Sequence, residues 1–325
     1  MQPFDYIVPH NFAEASALLM AGNDDTRPLL GGTDLLIRVR GGFIRPERII
    51  DLKQLPGMCD IVRSAEGWLV IGAACTMNQV AGHPLVRQEY ELLAQACESV
   101  ASYQLRNRAT VGGNCCNASP AADSAPALYC LEAVMEAYGP SGVRRIPIHE
   151  FFTGPRCNAL RPGEFLTGIH LPPVPSRSAG AFNKLGRTKI GDISIVSVAV
   201  WAEAGSRKLE AGGQSKHPER VDGATRTAAD GQSKDAERLT WRIAIGAAGP
   251  TPLRAPEAEA ALAEDASPEG VARAAQLAAE AARPIDDIRA SAAYRRGMVA
   301  VLARRGVNSV LARLGAAPSV VGGQP

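Results

Sequence analysis

The chain predicts an α+β protein of two units, and three observations carry that reading. Its 325 residues are enough for about two domains at roughly 150 residues each. Helix and strand signals alternate at short spacing through the first half, with hairpin patterns among them, while the last third is rich in alanine at helical spacing. Between them, Pro172-Pro173-Val174-Pro175 reads as a stiff linker, dividing residues 1–175 from a second unit over 176–290 and a terminal helix and tail over 291–325. With 46% apolar residues the chain can bury a large core, which excludes disorder as its main state.

Each element has a local reason. Asn11 with Glu14 forms the pattern of a capping box ahead of Leu18 and Leu19, and Gly22 is placed to stop that helix. Arg27 to Leu30 reads as a buried strand running into Gly31-Gly32, after which Thr33-Asp34 can cap a helical turn over Leu35 to Val39. Arg48 to Leu52 is a second strand, and Cys59 to Arg63 with Trp68 to Gly72 predicts a hairpin turned at Ala65-Glu66-Gly67. Leu85, Leu92, Leu93 and Ala96 share one face of a helix predicted over Leu85 to Val100. Residues 101–131 pack Gly, Asn, Ser and Pro into one loop before a helix. A mixed hairpin region runs from there to Leu171. In the second unit, Ala181 to Leu185, Asp192 to Ala202 and Leu239 to Ala247 read as strands. Pro256 to Glu264, Pro268 to Ala282 and Ser291 to Arg305 read as helices. Residues 205–238 are charged and poor in apolar side chains, the pattern of a solvated, disordered insertion, and Gly315 to Pro325 reads as a fraying tail.

Composition narrows the function. A formal charge of +2 gives no field strong enough to draw nucleic acid or an anionic membrane, so a small-molecule partner is expected. No apolar run approaches the ~18 residues of a membrane span, and the N-terminus lacks a basic n-region, so a soluble cytoplasmic protein is expected. Seven cysteines without a CxxC pair suit a reducing compartment and no metal or iron-sulfur site. There is no GxGxxG after a strand, no GxxxxGK[ST] and no GxSxG, which disfavours a Rossmann site, a P-loop and a nucleophile-elbow hydrolase.

Two glycine pairs remain. Gly31-Gly32-Thr33-Asp34 and Thr110-Val111-Gly112-Gly113-Asn114 can each turn successive backbone N–H groups inward where no Cβ intrudes, the arrangement that receives phosphate oxygens, with a helix starting beyond. Taken singly each pair could be a tight turn. Asn107, Asn114, Asn117, Ser119 and Asp123 surround the second pair, and Arg106 and Arg108 offer positive charge. The two loops together could grip one diphosphate.

The stretch Leu30-Gly31-Gly32-Thr33-Asp34-Leu35 is followed by Gln104-Leu105-Arg106-Asn107, then Ala109-Thr110-Val111-Gly112-Gly113-Asn114. Ala118-Ser119-Pro120, Asp123, Lys184-Leu185-Gly186-Arg187 and Gly191-Asp192-Ile193 come next. In this order the motifs resemble the FAD-binding medium subunit of molybdenum hydroxylases. That family includes the flavin subunits of xanthine dehydrogenase, aerobic carbon monoxide dehydrogenase and 4-hydroxybenzoyl-CoA reductase. The resemblance spans residues 1 to about 305 outside the insertion.

The resemblance implies a two-lobed FAD domain of the vanillyl-alcohol-oxidase type, with lobes over about 1–58 and 59–175, followed by a smaller C-terminal α+β domain. It implies that Pro28, Leu29, Leu30, Gly31, Gly32, Thr33, Asp34 and Leu35, with Thr110, Val111, Gly112, Gly113 and Asn114, line the pyrophosphate. Asp123 would bond the cofactor, Leu166 would pack near flavin or adenine, and Lys184 would reach in from the second domain. Ala101, Gln104, Cys116 and Asp192 would lie nearby. The [4Fe-4S] loop of the hydroxybenzoyl-CoA reductases has no counterpart after Asn117. Flavin supplies the redox chemistry in such a subunit. The expected complex is a heterotrimer with a molybdenum-cofactor large subunit and a [2Fe-2S] small subunit, passing electrons to NAD, oxygen, a quinone or another external acceptor. The alternative is a free-standing FAD oxidase or dehydrogenase, which needs an acid or base near the ring that no His or Tyr of these motifs clearly offers.

Overall fold

The computed structural model describes residues 2–22, 25–188, 191–204 and 239–315. The insertion expected at 205–238 and most of the tail lie outside the described residues. The chain opens with β1 (Asp5–Ile7), α1 (Phe12–Ala21), β2 (Thr26–Leu29), α2 (Leu35–Arg40) and β3 (Arg48–Asp51), whose strands form a parallel sheet in the order β1-β3-β2. Asn11 caps α1, its side chain accepting from the Glu14 amide at 2.8 Å. The reciprocal bond of a capping box is not made, because the Glu14 carboxylate accepts from His10 N–H instead.

A five-stranded antiparallel sheet follows. It uses β4 (Ile61–Arg63) and β5 (Leu69–Gly72). Next come the helices α3 (Met77–Gly82), α4 (Pro84–Glu89), α5 (Glu91–Glu98), α6 (Tyr103–Arg106), α7 (Val111–Asn117) and α8 (Ser124–Cys130). The chain then forms β6 (Val134–Gly139), β7 (Gly142–Pro147), α9 (Ile148–Phe151), the small hairpin β8 (Phe152–Gly154) and β9 (Cys157–Asn158), and β10 (Phe165–Leu171). The sheet order is β4-β5-β10-β6-β7, so β10 is central and buried along its whole length. The helix expected over Leu85 to Val100 is two helices with a break at Tyr90. Tyr90 leaves helical geometry (φ −123°, ψ 41°), and its hydroxyl donates to the Pro172 carbonyl at 2.9 Å, tying the break to the proline segment. Within residues 101–131, α8 is the helix expected after the loop, and the loop itself contains two further short helices, α6 and α7.

Past the prolines, β11 (Ser178–Leu185), β12 (Val196–Ala204), β13 (Leu239–Gly246) and β14 (Leu253–Arg254) make an antiparallel sheet. α10 (Pro256–Glu264) and α12 (Ala292–Arg313) pack on it, and α11 (Pro268–Ala281) packs against both of these helices. β12 starts at Val196 rather than Asp192, because residues 191–195 form the loop that returns from β11. Its alternation serves two cores at once. Val196, Val198 and Val200 pack with the helices of the second unit, while Ala199 and Trp201 on the opposite face join the core of the first.

A cradle at the meeting of two glycine segments

The residues after β2 leave the sheet at Leu30 and turn through Gly31 and Gly32 into α2. Gly32 has φ +74°, a left-handed conformation that glycine adopts without penalty. A Cβ on Gly31 would lie 2.1 Å from the Arg108 carbonyl oxygen and 3.0 Å from the Thr110 amide nitrogen, so this turn is pressed backbone to backbone against the second glycine segment. The two segments therefore meet, and they share one cavity of about 280 Å³. Pro28, Leu29, Leu30, Gly31, Gly32, Thr33, Asp34, Leu35, Thr110, Gly113, Asn114, Cys116 and Leu166 all line it.

The two segments contribute different chemistry. Asp34 precedes α2 without a side-chain cap, contrary to the expected capping by Thr33-Asp34, and among the described residues the amides of Gly31, Gly32, Thr33 and Asp34 have no acceptor. These donors are available to an anion. The second glycine pair does not precede a helix; it lies within the first turn of α7. Thr110 caps that helix, its hydroxyl accepting from Gly113 N–H at 3.1 Å, while Val111 N–H donates to the Cys75 carbonyl and Gly112 N–H to the Ala73 carbonyl. Val111 and Gly112 are buried and do not line the cavity. A Cβ on Gly112 would sit 2.5 Å from the Ala73 carbonyl oxygen, so this glycine serves packing. Gly113 and Asn114 face the cavity.

The remaining wall includes Asn117 and Ala109, already noted with the second glycine pair, and residues that sequence reasoning missed: Arg27, Arg38, Leu52, Asn158, Leu160, Glu164 and Phe165. Phe165 and Glu164 adjoin Leu166 and could have been found from it. Asn158, which donates to the Cys116 carbonyl at 2.8 Å, carries no local signal. Glu164 is held below its usual 4.5 mainly by hydrogen bonds from Arg144, at 2.9 and 2.6 Å. Burial pushes the Cys116 thiol up to about 12.

Asp123, Lys184, Ala101, Gln104 and Asp192 lie outside this cavity. Asp123 precedes α8 but does not cap it; its carboxylate instead accepts from Lys184 Nζ at 2.6 Å and from the Ser194 hydroxyl. Lys184 Nζ also donates to the Ser99 carbonyl at 2.8 Å. Burial pushes the Asp123 carboxyl above its usual 3.8, against the opposing pull of Lys184 and Ser194. The cluster connects to the cavity: Ser124, next in sequence, donates to the cavity-lining Asn114 Oδ1 at 2.7 Å. Ala101 lies two residues beyond Ser99 in a left-handed conformation (φ 42°), and Gln104 is exposed on α6. Asp192 accepts from the amides of Arg187 and Ile193 and so organises the loop that carries Ser194. Arg106 does not offer free charge at the glycine turn in the expected way. The Arg106 guanidinium is committed to Asn78 and to the Val100 and Ala101 carbonyls, and Arg108 meets Gly31 through its backbone.

These residues fit FAD. The cavity is smaller than the ~300–1,000 Å³ typical of a complete small-molecule site, so it suits one end of an extended dinucleotide. Apolar walls from Leu29, Leu30, Leu160 and Phe165 stand beside open amide donors at a glycine turn that a Cβ would block. No group of His, Cys, Asp and Glu able to hold a metal ion occurs among the described residues, nor does any helix long and apolar enough to cross a membrane.

Comparison with known proteins agrees with this chemistry. Residues 2–174 match the FAD-binding domain of molybdopterin dehydrogenases, and residues 180–310 match the C-terminal domain of CO dehydrogenase flavoproteins. The chain is 32% identical to the xanthine dehydrogenase FAD-binding subunit of Escherichia coli O157:H7 over 259 residues, 79% of each chain. It is 30% identical to the carbon monoxide dehydrogenase medium chain of Hydrogenophaga pseudoflava over 302 residues, 93% of this chain and 94% of that one. Among solved structures, a chain of carbon monoxide dehydrogenase from Hydrogenophaga pseudoflava superposes with a TM-score of 0.82 at 31% identity, covering 96% of this chain and 99% of that one. A chain of quinoline 2-oxidoreductase from Pseudomonas putida 86 gives 0.79 at 25% identity, covering 96% and 98%. With an FAD-binding domain, a flavoprotein C-terminal domain and the mixed helix and sheet fold of the carbon monoxide dehydrogenase medium chain, this oxidoreductase chain belongs to the FAD-binding medium subunits of the molybdenum hydroxylase family.

Proposed function

We propose that the chain is the electron-relay subunit of a three-subunit complex, taking electrons from iron-sulfur clusters of a small [2Fe-2S] subunit and delivering them to an external acceptor such as NAD, oxygen or a quinone. A large subunit carrying the molybdenum cofactor would transform the substrate. The observation that carries this reading is the backbone contact between Gly31 and Arg108, which sets open amides and apolar walls around one cavity. FAD, when bound, supplies one- and two-electron redox chemistry. The residues of this chain bind and orient it: Gly31 to Asp34 hold the diphosphate through their amides, Gly113 and Asn114 close the opposite side, and Leu166 packs against a ring. Asp123, Lys184 and Ala101 bound the path of the isoalloxazine end, with Gln104, Cys116 and Asp192 near it. Val111 and Gly112 act through packing alone.

Several features support the finer assignments. A division at the proline segment into an FAD domain of the vanillyl-alcohol-oxidase type over 1–175, with lobes meeting near residue 58, and a C-terminal α+β unit fits the separate parallel and antiparallel sheets. A cytoplasmic setting suits seven free thiols. The test is copurification of the native protein. Partner chains with molybdenum and iron, together with one FAD per copy of this chain, are the expected result. A lone yellow protein that oxidises an organic substrate without partners overturns the relay in favour of a free-standing oxidase.

A further inference from the structure

The segment from Ser99 to Thr110 joins the two parts of the site. Its start meets the ion pair, where the Ser99 carbonyl accepts from Lys184 Nζ at 2.8 Å, and its end meets the cavity, where the Arg108 carbonyl abuts Gly31. A cofactor extended from the cavity toward Asp123 and Lys184 lies along this segment. One residue in it holds a left-handed backbone without being glycine: Ala101, φ 42°. Such a conformation costs of order 1 kcal/mol and persists only where its surroundings impose it.

The imposing group is Arg106. Its Nη1 donates to the Val100 carbonyl at 2.9 Å and the Ala101 carbonyl at 3.1 Å, and its Nε donates to Asn78 Oδ1 at 3.0 Å. Asn78 in turn donates through Nδ2 to the Tyr103 carbonyl at 3.0 Å and to Asn107 Oδ1 at 2.7 Å. The guanidinium also lies 5.9 Å from the Tyr103 ring centroid. The turn is thus gripped from α3 on one side and by Lys184 of the second unit on the other. Lysine could not reproduce this fork, since a single ammonium cannot present the planar pair of donors that reaches both the carbonyls and Asn78.

We propose that Arg106 is a positioning residue for the flavin: by holding the Val100 and Ala101 carbonyls it fixes the strained turn against which the cofactor lies between the glycine cavity and the Asp123–Lys184 pair. The inference rests on the reading of that pair as the flavin end of the site.

The full-length chain, stripped of flavin and titrated with FAD, tests it. Arg106→Ala is expected to raise the FAD dissociation constant about tenfold and to change the visible circular dichroism of the bound flavin, because the cofactor must now order the turn itself. Arg106→Lys should resemble Arg106→Ala. Adding Ala101→Gly to Arg106→Ala should restore part of the spectrum, since glycine adopts positive φ freely. If Arg106→Ala fails to fold, Asn78→Ala, which removes only the brace, should give the same effects in weaker form. FAD affinity and flavin spectrum unchanged in Arg106→Ala, or in Asn78→Ala where that variant stands in, overturn the proposal. Asp123→Asn separates the two readings: if it too leaves FAD binding unaltered, the placement of the flavin end falls. If it weakens binding while the Arg106 and Asn78 variants do not, only the positioning role falls.

Discussion

Lys184 Nζ lies 2.6 Å from Asp123 Oδ2, with both side chains largely buried, and the pair joins β11 of the second unit to the start of α8 in the first. Removing one partner of a buried pair leaves an uncompensated charge and typically costs about 3 kcal/mol or more, whereas removing both costs less. Lys184→Met should therefore destabilise the chain by about 3 kcal/mol, and Lys184→Met with Asp123→Asn should recover much of the loss. The pH dependence has a definite sign. Burial already raises the folded carboxyl of Asp123 above 3.8, and loss of Lys184 raises it further. A raised acid contributes stability that is present below its unfolded value and lost as pH rises through its folded value. Urea unfolding of Lys184→Met should give midpoints that fall with rising pH more steeply than wild type; equal slopes would contradict the coupling.

The three cavity-segment glycines should behave differently. Gly112→Ala drives a Cβ to 2.5 Å from the Ala73 carbonyl oxygen and should cost about 1–3 kcal/mol of stability through overpacking. Gly31→Ala, at 2.1 Å from the Arg108 carbonyl oxygen, should push the two glycine segments apart and abolish FAD retention. Gly113→Val meets chiefly the Thr110 hydroxyl, at 2.7 Å, and should lose FAD with a smaller stability loss, about that of a helix cap at ~1 kcal/mol. Flavin content and chemical denaturation measured on the three variants check the pattern.

Acid should loosen the wall of the cavity. Arg144 holds the Glu164 carboxyl below 4.5, so the stabilisation is present above that value and disappears as pH falls through the lower folded value. Denaturation midpoints should drop as pH falls below the ordinary glutamate value, and Glu164→Gln should flatten that drop. An equally steep drop in Glu164→Gln would assign the acid sensitivity elsewhere.

Thiol labelling of the native chain should be selective. Cys59 and Cys157 are exposed, whereas burial pushes the thiols of Cys75, Cys97, Cys116 and Cys130 up to about 12 and that of Cys115 higher still. Cys157 should react first, with Cys59 slower because burial and the neighbouring Asp60 raise its thiol. Mass spectrometry after mild alkylation should find those two positions modified first, Cys116 of the cavity wall more slowly, and the four buried positions only after unfolding.

Local order made the first glycine turn legible: a strand, two glycines and a helix start occur within ten residues, and the chain folds in that order, although β2 is only partly buried and Asp34 does not cap α2. Asp123 was harder, because a carboxylate before a helix reads as a cap on paper; only the arrival of Lys184 and Ser194 shows that it is held by an ion pair and a hydroxyl instead. The second glycine pair was misplaced relative to α7, because Thr110 looks like a turn residue until its hydroxyl is seen to accept from Gly113. Asn158 and Leu160 were invisible for a different reason. Asn158 is placed by the pairing of β9 with β8, opposite Phe152, and Leu160 lies in the loop just beyond it, and no short-range pattern encodes where that hairpin meets the cavity. The break at Tyr90 was hidden likewise, since its cause is the distant Pro172 carbonyl.

β12 is a party wall. Because Val198 and Val200 furnish one room while Ala199 and Trp201 furnish the other, swinging the halves apart like a clamshell would strand an indole and a methyl in water. A route for the nucleotide that parted the halves would carry that cost in full, and one that left the masonry intact would not.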